Sequence, residues 1–376
     1  MGFRSRRRYR PSRPWHGLCR GANDRLQLPD RGRGWRKASR RREGAGLSPR
    51  GRRGPQCRQW RRGVHELHRD RIQVSEDLAF ARDFVPAHGT AVPVAARVQR
   101  LTAPNAGPFT FHGTNTYIVG DRSVCVIDPG PEDEAHWQAL CRALAGREVS
   151  HIAVSHTHRD HSPLAARLKD MTGAPTVAEG PHRAARPLHD GETNPFAESS
   201  DMTFVPDIAI TADERIEGDG WVLEAVPTPG HCANHTCFAL DGAGILFSAD
   251  HVMAWATSIV APPDGAMADY MASLDRLLER DDRLYFPGHG GPVTEPQAFL
   301  RGLRTHRRMR ERAILERIRA GDRRIPDMVS AIYRDTDPRL HGAAALSVLA
   351  HVEDLMARGA IHSDGPAALG SEYGAV

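Results

Sequence analysis

The chain has 376 residues, 40% of them hydrophobic, which is enough for two ordinary domains with real cores. Its net charge of +5 hides an uneven split: the first 71 residues carry 23 basic against five acidic side chains, and the remainder 28 against 41. The acidic body gives no electrostatic support for nucleic-acid binding, and no apolar run of about 18 residues or signal-peptide core points to a membrane span or to secretion.

Runs such as RSRRRYR and WRKASRRREG have few apolar residues and no helical or strand period, so residues 1–80 are predicted to be a disordered Arg-rich extension. A mitochondrial presequence is normally Ser-rich and amphipathic, and this head is neither. The chain has only two lysines, Lys37 and Lys169, against 49 arginines, a bias expected of a GC-rich genome. The head therefore reads as a non-functional extension rather than a targeting segment. Six cysteines without a C-x-x-C pair fit unpaired thiols in a reducing cytoplasm.

Order begins near residue 90. TNTYIVG (114–120) and SVCVIDPG (123–130) read as strands, and EDEAHWQALCRALAG (132–146) as a helix with acids in its first turn. VSHIAVSH (149–156) reads as a buried strand, SPLAARLKDMTG (162–173) as a helix stopped by Gly173, and APTVAEG as a strand. Residues 181–202 form a long loop, a length that is usually functional inside a compact domain. ITADERIEG, WVLEAVPTPG, TCFALDG and GILFSAD follow as strands. MADYMASLDRLLER (267–280) is predicted helical, with Met271, Leu274, Leu277 and Leu278 on one stripe, and RLYFPGHGG (283–291) is a last strand. Strands with helices between them fit two sheets sandwiched by helices. Beyond Pro296 three helices (298–321, 325–335 and 341–359) form a second unit; the last carries Leu346, Leu349, Val352 and Met356 on one face. The expected domains are thus 90–297 and 298–376.

The chemistry concentrates in SHTHRDHS (155–162). In extended chain, residues two apart point the same way, so His156 and His158 can meet at one ion. Asp160 and His161 fall in the turn before the next helix and can face a second point. Imidazole and carboxylate are ligands that zinc, iron and manganese share. Four such groups are too few for two ions, and three more follow, each at the end of a strand: His231 in TPGH, Asp250 in SADH and His289 in PGHG. His112, His235 and His251 lie beside these motifs and are read as surface or supporting groups. Cys232 reads as a small buried residue and Tyr270 as core.

HTHRDH, TPGH, SAD and FPGHG, in this order and spacing, resemble the metallo-β-lactamase superfamily over residues 100–295. The resemblance implies an αββα sandwich with two divalent metal ions, zinc or a mixture with iron or manganese. It implies His156, His158 and His231 at the first ion, Asp160, His161 and His289 at the second, and Asp250 bridging them. Asp128 in VIDPG matches the family's structural aspartate. The nucleophile would be a hydroxide shared by the two ions, with Asp160 as the catalytic ligand that orients it. PFTFHGTNTYIVG, SADHVMAWATSIVAPPDG and the C-terminal helices are similar to the β-lactamase-like protein 2 subfamily, which implies a small helical, winged-helix-like C-terminal domain.

Substrate is less constrained. The subfamily resemblance implies cleavage of single-stranded RNA, set slightly ahead of a thioester or small-ester hydrolase similar to glyoxalase II. Ten arginines between 301 and 324 can touch phosphates, although a solvated helix face is the stronger reading. An exported antibiotic-degrading enzyme is disfavoured, since its common subgroup has Cys where this chain has Asp250. A non-catalytic metal-binding module would have lost ligands, and none is lost.

Overall fold

A computed structural model describes residues 78–376 of the chain. The expected disorder of 1–80 falls almost wholly outside the described residues. Chain packing starts earlier than residue 90. Phe80 meets Phe299 edge to face with ring centroids 6.3 Å apart, and the Ala81 amide donates to the Ala254 carbonyl at 2.9 Å.

The first sheet has seven strands in sequence order: β1 (Val92–Ala95), β2 (Val98–Thr102), β3 (Asn115–Val119), β4 (Ser123–Ile127), β5 (Glu148–Ala153), β6 (Thr176–Ala178) and β7 (Ile208–Ala209). The chain runs antiparallel through β4, and then β4, β5, β6 and β7 are parallel. Parallel neighbours need crossovers, and α1 (Glu134–Leu144) and α2 (Leu164–Thr172) supply two of them. Asp133 caps α1 by accepting from the His136 amide at 2.7 Å, and Gly173 ends α2 in the left-handed conformation.

The second sheet has five strands, β8 (Arg215–Gly218), β9 (Trp221–Pro227), β10 (Thr236–Leu240), β11 (Ile245–Ala249) and β12 (Leu284–Pro287), with β12 at one edge and β8 at the other. Val98, Tyr117, Ile127, Leu223, Phe238, Phe247 and Phe286 fill the space between the sheets. Trp137, Leu140 and Leu168 bind the α1–α2 layer to the first sheet. On the outer face of the second sheet lie α3 (Met267–Leu278) and the first half of α4 (Pro296–Arg319), through Leu274, Leu277, Leu300 and Leu303. The result is the expected helix–sheet–sheet–helix order.

The second half of α4 joins α5 (Ile325–Ile332) and α6 (His341–Ala357) around Ile314, Ile318, Met328, Val348 and Leu355. Two features there lie beyond what helical periodicity alone shows. A short antiparallel pair, β13 (Ile361–His362) with β14 (Gly374–Ala375), supplies the wing that the resemblance implies. The buried face of α6 is also rotated: Ala344, Val348, Leu349, His351, Val352 and Leu355 are buried, whereas Leu346 and Met356 are only partly so. This helix is apolar almost all round, so periodicity alone does not choose its inner face.

Buried histidines give the fold an acid limit. Burial pushes His136 down to about 4 and, with help from Arg307 and Arg310, pushes His306 down to about 4. Their folded pKa values lie below the unfolded one, so the unfolded chain binds more protons between pH 6.5 and 4. Stability is whole above pH 6.5 and falls as pH drops towards 4. Urea unfolding should show a lower midpoint at pH 5 than at pH 7.5, and His136→Gln should shrink the difference; an unchanged difference would contradict the assignment.

Candidate metal centre

All seven candidate ligands lie at the same rim of the sandwich, beyond the ends of strands. The chain leaves β5 and passes through His156, His158, Asp160 and His161 before α2 starts. His231 follows β9, Asp250 follows β11 at once, and His289 lies two residues past β12. β5, β9 and β11 are paired on both sides and the edge strand β12 with β11, so side chains just past their ends are fixed without long flexible connections.

The imidazole nitrogens converge. His158 Nδ1 lies 3.1 Å from His156 Nε2 and 3.0 Å from His231 Nε2. At a second point, Asp160 Oδ2 lies 3.3 Å from both His161 Nε2 and His289 Nε2. Asp250 stands between the two sets. Its Oδ2 is 3.2 Å from His289 Nε2 and 3.7 Å from His231 Nε2, and its Oδ1 is 3.5 Å from His161 Nε2. Donors about 2 Å from a shared tetrahedral cation are separated by roughly 3.3 Å, close to these spacings.

Most of the rings are turned inward by a partner on the other nitrogen. Asp128 Oδ1 accepts from the Ser155 amide at 2.7 Å, and Oδ2 accepts from Ser155 Oγ at 2.7 Å. The same Oδ2 is 2.9 Å from His161 Nδ1, and Ser155 Oγ is 3.0 Å from His156 Nδ1. His231 Nδ1 faces the Ile259 carbonyl at 2.7 Å, and His289 Nδ1 the Gly113 carbonyl at 3.3 Å. Each such bond engages Nδ1 and leaves Nε2 aimed at the cluster. His161 Nε2 and Asp250 Oδ1 are buried without hydrogen-bond partners, a costly arrangement unless something binds there. Glycine makes the crowding feasible, because a Cβ on Gly288 would sit 2.4 Å from Asp250 Oδ1 and 2.8 Å from His161 Cε1.

Burial and the neighbouring imidazoles hold His156 well below the ordinary histidine range, and the same causes push His158 down to about 3. Burial works against ionisation of Asp160, yet His161 and His289 hold its carboxyl well below the usual range. His289 is pushed up to about 9, with Asp250 and Asp160 overcoming its burial. His156 and His158 are therefore neutral nitrogen donors; the first set offers imidazole nitrogens and the second a nitrogen–oxygen mixture, both ligand types suited to divalent transition metals.

Several supports carry no signal in a motif. Thr114 Oγ1 donates to Asp160 Oδ2 at 3.0 Å. His235 Nε2 accepts from the Asp250 amide at 3.2 Å, so this neighbour of the motifs is a support and lies outside the metal-facing sets. Asn115 Nδ2 donates to the Pro287 and Gly290 carbonyls at 3.0 and 2.9 Å, tying β3 to the turn that carries His289. Cys232 brings its sulfur into the His156–His158–His231 group. Burial and nearby carboxylates raise its thiol well above the ordinary range, so it stays protonated in this setting.

The loop expected at 181–202 has no regular strand or helix and forms one wall of the site. Ser199 accepts from the Arg159 amide at 2.8 Å, and the Asp201 amide donates to Thr157 at 2.7 Å. Phe196 reaches within 6.5 Å of the His158 ring, and Arg186 ties the loop to Glu353 of α6 at 2.6 Å. Of the ten arginines between 301 and 324, Arg307 is 3% exposed and Arg310 lies over the Tyr333 ring at 4.2 Å. Arg308 beside them is exposed, so the reading of this Arg-rich stretch as a solvated face does not hold for Arg307.

An αββα sandwich with paired His/Asp clusters at its strand ends defines a class of metal-dependent enzymes. Residues 109–289 match the metallo-beta-lactamase superfamily, and residues 325–367 match the beta-lactamase associated winged helix domain. The chain carries a metallo-β-lactamase superfamily domain followed by a beta-lactamase associated winged helix domain. It is 32% identical over 208 residues to the atrochrysone carboxyl ACP thioesterase AgnL7 of Paecilomyces divaricatus, covering 53% of this chain and 57% of that relative. It is 28% identical over 274 residues to the beta-lactamase-like protein 2 homolog of Drosophila melanogaster, covering 71% of this chain and 90% of the relative. The crystal structure of a beta-lactamase domain protein from Burkholderia ambifaria superposes with a TM-score of 0.65 at 21% identity, covering 78% of this chain and 96% of that one. No helix among the described residues is long and apolar enough to cross a membrane.

Proposed function

We propose that the chain is a binuclear metal-dependent hydrolase whose substrates are thioesters. In this reading His156, His158 and His231 hold one divalent ion, Asp160, His161 and His289 hold a second, and Asp250 lies between them. The observation that carries it is the convergence of seven inward-turned ligand atoms around buried, unsatisfied His161 Nε2 and Asp250 Oδ1. Such ions, zinc being the expected one, supply an activated water and polarise the scissile carbonyl.

The protein's own groups then have limited tasks. Asp160 has the most exposed side chain of the second set at 24%, so it meets substrate and orients the attacking water while Thr114 fixes its carboxylate. Asp128 and the Ile259 and Gly113 carbonyls keep the rings aligned. A thiol nucleophile is disfavoured, because burial pushes Cys125 and Cys237 up to about 12 and Cys232 higher than usual. Similarity to a carrier-protein thioesterase supports the thioester class. The burial of Arg307 and the stacking of Arg310 remove two phosphate contacts that the single-stranded RNA reading would use.

Side-by-side assays of an acyl-glutathione thioester, an N-acetylcysteamine thioester, a bis-aryl phosphodiester and single-stranded RNA test this. Thioester turnover that chelation abolishes, with RNA inert, is the expected result. RNA cleavage with both thioesters inert would overturn it.

A further inference from the structure

We propose that Arg307 is a positioning residue that fixes His231, coupling the C-terminal helix α4 to the metal centre. The inference rests on the proposed metal site. His231 Nε2 lies 3.0 Å from His158 Nδ1, and its Nδ1 is bound to the Ile259 carbonyl at 2.7 Å. That carbonyl belongs to 255–260, which lies in no strand or helix and so has no sheet or helix ladder to hold it. Its orientation is fixed from outside.

Two contacts on Ser258 do this. Ser258 Oγ donates to the Asp250 carbonyl at 2.5 Å, and the Ser258 carbonyl accepts from Arg307 Nη2. The consecutive carbonyls of Ser258 and Ile259 therefore serve Arg307 and His231 respectively. The two carbonyls belong to successive peptide planes that meet at the Ile259 Cα, so anchoring the rigid Ser258–Ile259 plane leaves only the φ and ψ of Ile259 to aim the second carbonyl. Arg307 also places its guanidinium 4.9 Å from the centre of the Tyr270 ring. Tyr270 in turn donates from its hydroxyl to the His251 carbonyl at 3.1 Å and packs so closely on Gly230 that a Cβ there would lie 2.4 Å from the Tyr270 Cα. Arg307 thus packs on the residue that touches Gly230, which precedes His231, and His251, which follows Asp250.

The electrostatics make a mere packing role expensive. Arg307 is 3% exposed, and among the described residues no carboxylate lies within ion-pair distance of it. A buried guanidinium without a counter-ion costs more than an apolar side chain of the same volume would. It lies midway along α4, between Leu303 in the layer beside the second sheet and Ile314 in the C-terminal core. That location gives the C-terminal unit a direct mechanical link to a metal-facing imidazole.

Cobalt(II) binding to the full chain tests the proposal. Arg307→Met keeps the volume and removes the donor, and Arg307→Lys restores a charge and one donor. Arg307→Met should weaken cobalt affinity by about 10- to 100-fold, the usual cost of losing an outer partner of a ligand, and shift the visible absorption of the bound ion. Arg307→Lys should recover part of both. Leu303→Ala, one turn earlier on the same helix, serves as a control that lowers stability while leaving the cobalt spectrum unchanged. An affinity and spectrum in Arg307→Met equal to the parent's, or equal to those of Leu303→Ala, would overturn the proposal. Should Arg307→Met fail to fold, Arg307→Gln is read by the same criteria. A parent that binds no cobalt would sink the metal-site reading itself, whereas a cobalt-binding parent with an unaffected Arg307 variant sinks only this inference.

Discussion

Replacing Asp160 by alanine is expected to lower thioester turnover by roughly 100- to 1,000-fold or more, the range seen when a group that organises transition-state charge is removed. The reason is its position. Asp160 Oδ2 faces His161 and His289 at 3.3 Å each and is held by Thr114 at 3.0 Å, while its side chain keeps contact with solvent. The alanine variant removes the one carboxylate that both faces the cluster and reaches the open side of the site. Asp250, only 9% exposed, cannot take over that task. Steady-state kcat should be measured together with metal content, because a variant that also loses one ion is still consistent with a ligand role. Cys232→Ala is the informative control. Its thiol is buried and held protonated, so the change should leave kcat within a few-fold of the parent. Full activity in the Asp160 variant, or collapse of activity in the Cys232 variant, would require a different mechanism.

Stripping metal should destabilise the catalytic fold strongly. Protein purified without added metal is expected to carry about two divalent ions, the number that two such ligand sets hold. An ion present at about 1,000 times its Kd contributes roughly 4 kcal/mol to stability by linkage, and Tm moves by about 2–4 °C per kcal/mol in a domain of this size. Chelation should therefore lower Tm by roughly 10 °C or more. Structure gives the local cause: without an ion, His161 Nε2 and Asp250 Oδ1 remain buried and unsatisfied, and the nitrogens of His156, His158 and His231 face one another at about 3 Å. Elemental analysis and calorimetry before and after chelation decide it. Fewer than one ion per chain with an unmoved Tm would count against the metal centre, and His158→Ala should reproduce the chelator's effect in part.

The amino-acid sequence by itself determined those properties that depend on local spacing. Strand periodicity placed β3, β4, β5 and β9–β12 within a few residues, because burial on a sheet face writes a short-range pattern into the chain. HTHRDH announced a candidate site because its His and Asp side chains are one or two residues apart, and His231, Asp250 and His289 could be paired with it because each closes a strand. Those readings needed no knowledge of distant contacts.

Only the tertiary structure decided which neighbours hold these groups in place. Ile259 orients His231 through its carbonyl, a group that every residue possesses, so no residue type could announce it. Arg307 and Arg308 are adjacent letters in one Arg-rich run, yet one is buried over Tyr270 and the other exposed. Helix α6 is apolar on nearly every side, and its inner face was settled by the shape of what it packs against. The two-residue strands of the wing are too short for a period to register; they exist because Ile361 and His362 find Ala375 and Gly374 across the chain. Contacts between residues far apart in sequence leave no spacing to read, and it is those contacts that bring seven scattered side chains into one cluster.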